Sequence, residues 1–497
     1  MSRSCHGGFA RSETGASPRP RGSLNPMAVY TKHPVAALPA APPRETTAHL
    51  LVRAYSVLAL FCIFAHTAVY NLLGPLGSGI LLVVLTVGAL AIWVPAVVAG
   101  RPTRFPWRRL PWAALGYGAL ALVSTLWSRW PAATLLTWTL LAGITVTALL
   151  VATMLTWQEI ARALSTVLKT ILGLSLAIEL WVALVLRHPL LPNFAEVPEG
   201  KIDPHLYWVR GNLFDDGRIQ GVVGNAHTLA MMCLFALIVF GVLYATQVRR
   251  RSMLIFWAVL AAVLLVKAAS ATVYLSIGVA AAVLAAALIM RAASPRRRGR
   301  LYLVFLAVAV GGVASAVLLR DTILSLLGKG SDLTGRLEIW QAVWDRAITR
   351  PVFGNGFSSP WVPWDPAFDG WILNHGLSVF HAHDMWLDVF LQLGAVGVVL
   401  MAVAWLALTW RAWFFAVDRP RWDLDAARPY SPLSLLPLLL VAVLLVEGLA
   451  ESAPIMLWGW LLLILLSFKM KAVPLIGVGV GERTPVISHG PQSRQVP

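Results

Sequence analysis

The chain has 497 residues, 58% of them hydrophobic and only 13% charged. Soluble domains carry about 25% charge, so an ordinary globular enzyme is excluded, and the apolar runs are too long for buried core helices. A net charge of +17, from 40 Lys and Arg against 23 Asp and Glu, would suggest nucleic acid in a soluble chain; in a membrane protein it first asks for a topological account. The cysteines Cys5, Cys62 and Cys233 form neither a disulfide framework nor a CxxC metal pattern.

Residues 1–49 are rich in Pro, Arg, Ser and Ala without an apolar run, which predicts a disordered basic tail. No signal peptide is visible, because the first apolar stretch lies far from Met1 and is long enough to span; Met27 is an alternative initiator. Residues 50–470 read as an all-α polytopic membrane domain of about twelve transmembrane helices. The spans fall near 53–73, 77–99, 111–127, 133–155, 166–187, 222–246, 253–267, 271–290, 301–320, 385–410, 433–450 and 454–469. Connections on one side carry Arg101, Arg104, Arg108 and Arg109, Arg162 and Lys169, Arg249 to Arg251, and Arg291 with Arg296 to Arg300. Arg411, Arg419, Arg421, Arg428, Lys469 and Lys471 continue that side, whereas the opposite short turns hold only Arg129 and Lys267. The positive-inside rule makes the basic side cytoplasmic, with both termini there, and 471–497 a second disordered tail. Topology thus accounts for most of the net charge, and no nucleic-acid partner is expected.

Two extracytoplasmic segments, about 188–221 and 320–384, break the pattern of short turns. A loop of some 65 residues in a compact membrane protein is usually functional. Within it, Leu337, Trp340, Trp344 and Ile348 recur at helical spacing, Pro351 stops the run, and Gly354-Asn355-Gly356 makes a turn. The expectation is an amphipathic helix lying on the outer membrane face. No internal repeat of the kind common in secondary transporters is apparent.

The outer loops hold the unusual polar groups. The first closes on Arg218-Ile219-Gln220-Gly221 and Asn225-Ala226-His227; the second opens on Gly335-Arg336 with Trp340, continues through Arg350-Pro351 and Gly354-Asn355-Gly356, and closes on His381-Ala382-His383-Asp384. Gln392-Leu393-Gly394-Ala395-Val396-Gly397 follows in the next span. Over roughly 210–400 the chain resembles the O-antigen ligase and polymerase family, whose members show an arginine-glycine-asparagine element before a span, GR-x-x-x-W, RP-x-x-G-x-G, and a His-Asn opening a span that ends in LG-x-x-G. The resemblance implies a metal-independent glycosyltransferase without cofactor in a bacterial cytoplasmic membrane. It would move a glycan from an undecaprenyl diphosphate carrier to a lipid- or glycan-linked acceptor at the outer face, in lipopolysaccharide or exopolysaccharide biosynthesis. Arginines would hold the diphosphate, and a histidine would sit beside the acceptor hydroxyl.

The residues suit that chemistry. Fixed guanidinium groups bind phosphate oxygens in bidentate fashion and stabilise a departing diphosphate, and histidine has the side-chain pKa nearest neutrality for taking a hydroxyl proton. His383, Arg218, Arg336 and His381 are therefore the catalytic candidates, with Lys267, Asn225, Trp361, Trp364 and Trp371 as substrate-binding candidates, the tryptophans as stacking platforms for sugar rings. Plainer roles exist for each: Arg218 and Lys267 snorkelling to headgroups, Arg336 pairing with Glu338, the histidines bonding within the loop, the tryptophans forming an interfacial belt. The chain departs from the family at Asp384, where Asn is usual, at His227, where a second Asn is common, and at Ser270-Ala271-Thr272, which lacks the basic residue of Ser-Arg-Thr. Asp384 would cap the tenth span and charge His383, and Lys267 would replace the missing cation. Glu447 and Glu451 are four apart and would face water at an outer turn or pair with a site arginine, the first being favoured; Glu179 has no role legible in sequence. The competing functions are a transporter or flippase for a lipid-linked or anionic solute, which would place polar groups at the bilayer midplane on broken helices, and a membrane scaffold.

Overall fold

The computed structural model describes residues 46–100, 105–193, 203–246, 251–319, 322, 335–374, 377–418 and 430–473. The expectations for Met27 and for most of both tails lie outside these residues, although 47–49, assigned to the N-terminal tail, are helical. Thirteen α-helices are described: α1 Thr47–Phe64, α2 His66–Val98, α3 Trp112–Val123, α4 Pro131–Met154, α5 Trp157–Trp181, α6 Ala226–Ala245, α7 Arg251–Ala268, α8 Ala271–Ala292, α9 Pro295–Leu318, α10 Arg336–Ala347, α11 Met385–Val417, α12 Leu435–Glu447 and α13 Leu457–Ala472. The only sheet among the described residues is a ladder of Leu373–Asn374 with Leu377–Ser378. Eight of the described helices are long and apolar enough to cross a membrane, and α3 and α12 are shorter apolar helices. The protein is an all-α polytopic membrane protein.

Burial sorts the helices. On α13 nearly every residue from Trp458 to Met470 is buried, and on α12 the run Leu435–Leu444 is buried on all sides, so these two form the centre with α6. Around them α13 packs on α4, α12 on α8, α11 on α3, α6 on α5 and α7, and α2 on α4. The outer helices expose apolar side chains, among them Val83, Val87, Phe256 and Val259, as a lipid-facing surface requires.

Cations close one end of the bundle. Arg109 donates to the carbonyls of Lys471 and Ala472 (3.1 and 3.0 Å), and Lys471 Nζ to that of Leu110 (2.9 Å). Lys469 Nζ donates to the carbonyls of Ala152 and Leu155, and Arg291 to the Ala416 carbonyl and Ser434 Oγ (2.8 Å each). Those to Ala152, Leu155, Ala416, Lys471 and Ala472 satisfy carbonyl groups that helix C-termini leave open, where positive charge is also favoured by the helix dipole.

Several boundaries differ from those expected. The fifth span starts at 157, not 166, because Thr156 and Glu159 form a capping box. Arg162 and Lys169 therefore lie on α5 and not in a connection, with Lys169 over the Phe240 ring. The first span is interrupted at Ala65, between α1 and α2, and its expected end near 73 coincides with Gly74, whose φ of 69° breaks α2 just before Pro75. On α10 the buried stripe is Ile339, Val343 and Ala347, while Leu337, Trp344 and Ile348, read as the apolar face, stay exposed. The reason is that the long loop has its own small core of Trp130, Ile339, Val343, Trp361, Phe368 and Leu391, which takes the other side of the helix.

The tenth span is broken at Gly394, where φ is 61° and ψ −161°. The turn after Pro351 fills the break: Ala395 and Val396 donate to the carbonyls of Pro351 and Val352 (2.8 and 3.2 Å), and Asn355 and Gly356 donate to those of Leu391 and Gln392 (2.9 Å each). The two backbones approach so closely that a Cβ on Gly354 would lie 2.3 Å from the Gln392 carbonyl oxygen, and one on Gly394 would lie 2.4 Å from the Val352 carbonyl. The RP-x-x-G-x-G and LG-x-x-G elements are thus two halves of one backbone lock. Gly354→Ala and Gly394→Ala, each combining a left-handed residue with this clash, are expected to destabilise the detergent-solubilised protein by at least about 1–3 kcal/mol in thermal unfolding. Gly79→Ala, whose Cβ would meet nothing within 4 Å, should unfold like wild type; an unchanged midpoint for Gly394→Ala would show that the lock is dispensable.

Candidate functional site

At the end of the bundle away from the basic contacts, the loop closing on α11 is pinned at Ala382. Its N–H donates to Asp388 Oδ2 (3.1 Å), and its carbonyl accepts from the Trp340 indole on α10 (3.0 Å). Asp388, fully buried, also accepts from Trp361 Nε1 (2.9 Å), Gln392 Nε2 (3.3 Å) and Ser452 Oγ. One carboxylate so ties together the loop, α11 and the turn between α12 and α13. Asp384 caps α11 through the Leu387 N–H (2.8 Å), as its sequence position suggested, and Met385 N–H reaches the Gly448 carbonyl (3.0 Å). His383 is held between these anchors with φ of 52°, a left-handed conformation that is uncommon for a residue with a Cβ and that recurs at functional sites.

The side chains on either side of Ala382 meet Glu451, in the turn after α12. Glu451 Oε2 lies 2.8 Å from His383 Nδ1 and 3.9 Å from His381 Nδ1. Its other oxygen accepts from Arg336 at 2.6 Å, and Arg336 also donates to the Ala450 carbonyl at 2.7 Å. Burial would raise the Glu451 carboxyl, but the hydrogen bond from His383 and the charges of His383, His227 and His381 outweigh it and hold the group well below the usual carboxylate range. Burial and the neighbouring His383 push the His381 imidazole below its ordinary value. With Nδ1–H of His383 donated to Glu451, the tautomer is fixed and Nε2 is left as the basic nitrogen.

A second histidine–glutamate pair stands beside the first. His227, in the first turn of α6, contacts Glu447 Oε1 through Nε2 (2.8 Å) and Ser270 Oγ through Nδ1 (2.9 Å). Arg218 donates through Nε to the Ala268 carbonyl, two residues before Ser270, at 2.8 Å. It therefore adjoins this pair through the α7–α8 turn and is hydrogen-bonded to main chain, not to a carboxylate. Burial, then the charge of Arg210, lowers its pKa. Glu179 Oε1 accepts the N–H groups of Gln220 and Gly221 (2.9 and 2.8 Å), and Ser175 Oγ accepts that of Val222 (3.2 Å). The buried glutamate thus fixes the segment that carries Arg218.

Glu451 brings Arg336, His381 and His383 together, whereas Arg218 is held on the Ala268 carbonyl in the α7–α8 turn. The remaining expectations need correction. Glu447 and Glu451 face histidines and Arg336, not water, and the carboxylate on His383 is Glu451, with Asp384 turned to the helix cap. Lys267 donates to the Asp215 carbonyl (3.1 Å), and the cation bonded to the turn before Ser270 is Arg218, on the Ala268 carbonyl. Asn225 spends its amide oxygen on capping α6, accepting from His227 and Thr228 N–H (2.8 and 3.2 Å). Trp361 is fully buried and stacks on Phe368, so it has no free face for a sugar. The Arg346 guanidinium sits 3.2 Å from the Trp371 ring centroid, so of the three candidate tryptophans Trp364, 59% exposed, is the open one. Sequence reasoning passed over Asp388 and gave Glu179 and His227 no role, although the two acids carried a signal: ionisable groups in apolar runs need a partner.

Beside the cluster, α10 and the start of α11 frame an open groove of about 630 Å³ lined mainly by Leu337, Trp340, Trp344, Trp386 and Phe390, with Asp384 at its edge. Residues 259–402 match the model of the O-antigen ligase family. The exopolysaccharide production protein ExoQ of Rhizobium meliloti (strain 1021) is 32% identical over 114 residues, which cover 20% of this chain and 25% of that relative. The match thus spans about a quarter of the relative's length. The family segment contains Arg336, His381 and His383, begins after Arg218, and ends before Glu447 and Glu451.

Glu451→Ala, which leaves Arg336 and His383 without their shared acceptor, is expected to cost about 2–3 kcal/mol in unfolding, below the figure for a fully buried pair because Arg336 keeps some solvent. Acid should loosen the same cluster. His381 and Glu451 both bind protons more readily unfolded, from ordinary values of 6.5 and 4.5, so their stabilisation is complete above about pH 6.5 and falls as pH drops. Asp384, raised by burial against the hydrogen bonds of Leu387 and Trp386, acts with the opposite sign. The readout is therefore the difference between wild type and His381→Gln, whose melting temperature should decline less between pH 7 and pH 5; parallel curves would remove His381 from the cluster.

Proposed function

Because these matches support the O-antigen ligase and polymerase family, we propose that the chain is a glycan transferase of cell-surface polysaccharide biosynthesis. In this reading the donor is an undecaprenyl diphosphate-linked glycan and the acceptor a lipid- or glycan-linked hydroxyl. The basic end faces the cytoplasm with both termini, and the Glu451 end faces outward from a bacterial cytoplasmic membrane. The observation that carries the reading is the division of Glu451 between Arg336 and His383, which presents a cation and an imidazole base from one anchor.

The acceptor oxygen attacks the anomeric carbon as its bond to the diphosphate oxygen breaks, and the hydroxyl proton passes to His383 Nε2. The departing undecaprenyl diphosphate gains negative charge. Arg336 uses two nitrogens on Glu451 and Ala450, and a guanidinium carries five N–H donors, so capacity for phosphate oxygens remains. At an effective dielectric near 20, one charge pair at ~4 Å is worth up to about 4 kcal/mol before desolvation. Arg218 provides the second cation, on a segment fixed by Glu179. The groove along Trp340, Trp344 and Phe390 suits an apolar lipid chain, and Trp364 is the aromatic left for sugar contact. Guanidinium groups carry the charge in this scheme, so it calls for no metal.

A transporter would keep ionisable groups near the middle of its spans. Among the described residues the buried acids and lysine lie towards helix ends or in turns: Glu159 and Glu179 on α5, Asp388 on α11, Glu447 and Lys469 at the ends of α12 and α13, Glu451 in the turn. The test is reconstitution in liposomes with a fluorescent undecaprenyl diphosphate oligosaccharide and candidate acceptors. A new glycosidic bond is expected, with kcat lowered ~10²–10⁴-fold in His383→Ala and ~10²–10³-fold in Arg336→Ala or Arg218→Ala. Flux across the vesicle without a new bond would replace the transferase by a flippase.

A further inference from the structure

We propose that His381, His383 and Glu451 form a binding site for a borderline divalent cation, Zn²⁺ in the first place. Each offers one ligand atom, and the three atoms lie within 4.8 Å of one another. Two imidazoles and one carboxylate, with a position left open, are the ligand number and type that zinc takes in sites accessible to a small molecule. Bonds of about 2.0–2.1 Å in tetrahedral geometry place donor atoms about 3.3 Å apart. The separations from Glu451 Oε2, 2.8 Å to His383 Nδ1 and 3.9 Å to His381 Nδ1, bracket that value. His381 Nδ1 accepts the His383 N–H at 3.3 Å, a long bond that it would exchange for the ion.

The main chain is built to hold such a set. Both histidines flank Ala382, whose two backbone groups are bonded to buried Asp388 and to Trp340, so the imidazoles start from a fixed platform. The ring centroids are 4.0 Å apart, and both side chains are about a third exposed, 31% and 27%, which leaves a path for the ion and room for water in the open position. Glu451 can ligate through Oε2 while Oε1 keeps Arg336, an outer partner of the kind that orients ligating carboxylates. A cation on Nδ1 of His383 takes that atom's lone pair, so the imidazole proton moves by way of solvent to Nε2, which then has no lone pair to accept a hydroxyl proton. Where the transferase reading holds, a bound ion therefore antagonises transfer and does not assist it.

Binding is measured on the full-length protein in nanodiscs without any glycan substrate, so its outcome does not depend on the transferase reading. Titration with ZnCl₂ by calorimetry is expected to give one saturable site, weakened more than about tenfold in His381→Gln and in Glu451→Gln and unchanged in His188→Ala, an exposed histidine outside the cluster. Co²⁺ added to the wild type supplies a readout that needs no variant: intense visible d–d bands of a four- or five-coordinate site with nitrogen ligands are expected. A weak octahedral spectrum, no saturable Zn²⁺ binding, or equal binding by wild type and both cluster variants would each overturn the site.

Discussion

A carboxylate with a cation on one oxygen and an imidazole on the other is the interaction on which this end of the molecule depends. Glu451 is nine-tenths buried, so its charge needs partners, and Arg336 and His383 supply them at 2.6 and 2.8 Å. A buried ion pair is seldom a net source of stability, and what it contributes here is placement. The guanidinium and the imidazole come from separate elements, yet each is oriented by one of the two oxygens of a single carboxylate. His383 gains a defined tautomer and Arg336 a defined direction, neither of which the loop alone would fix.

The frame around that carboxylate is made of backbone closures and one more buried acid. The paired glycines Gly354 and Gly394 let the loop replace hydrogen bonds that α11 loses at its break. Asp388 then fastens the loop to α11 and to the turn holding Glu451. On the other flank Glu179 fixes the Arg218 segment through two main-chain N–H groups. These three devices put left-handed residues, a broken helix and buried charge within one region. Such local violations of folding rules are expected where a site is held rigid for chemistry.

Much of this was legible in the sequence. Apolar runs gave the membrane class, the loop motifs marked Arg336, His381 and His383, and the arginine and lysine asymmetry separated the two ends. The partners were not legible, because contact between Arg336 and a residue 115 positions away follows from packing of α10 on α11 and of α11 on α12, not from any local period. Trp361 misled for a related reason: a tryptophan in a polar loop reads as a sugar platform, while this loop builds its own core and buries it. On α10 two apolar stripes compete, and only the tertiary fold decides that Ile339, Val343 and Ala347 turn inward. Lys267 was assigned to the site by proximity along the chain, but its ammonium is bonded to the Asp215 carbonyl of the first outer loop.

The central claim is that the Glu451 cluster is where a lipid diphosphate meets its acceptor. Cryo-electron microscopy of the protein in nanodiscs with undecaprenyl diphosphate tests it most directly. The account predicts density for the diphosphate within hydrogen-bonding reach of Arg336, with His383 still on Glu451 and the isoprenoid chain running beside Trp340 and Phe390. A headgroup bound at the basic end of the bundle, or one that leaves Arg336 untouched while occupying another cavity, would contradict it.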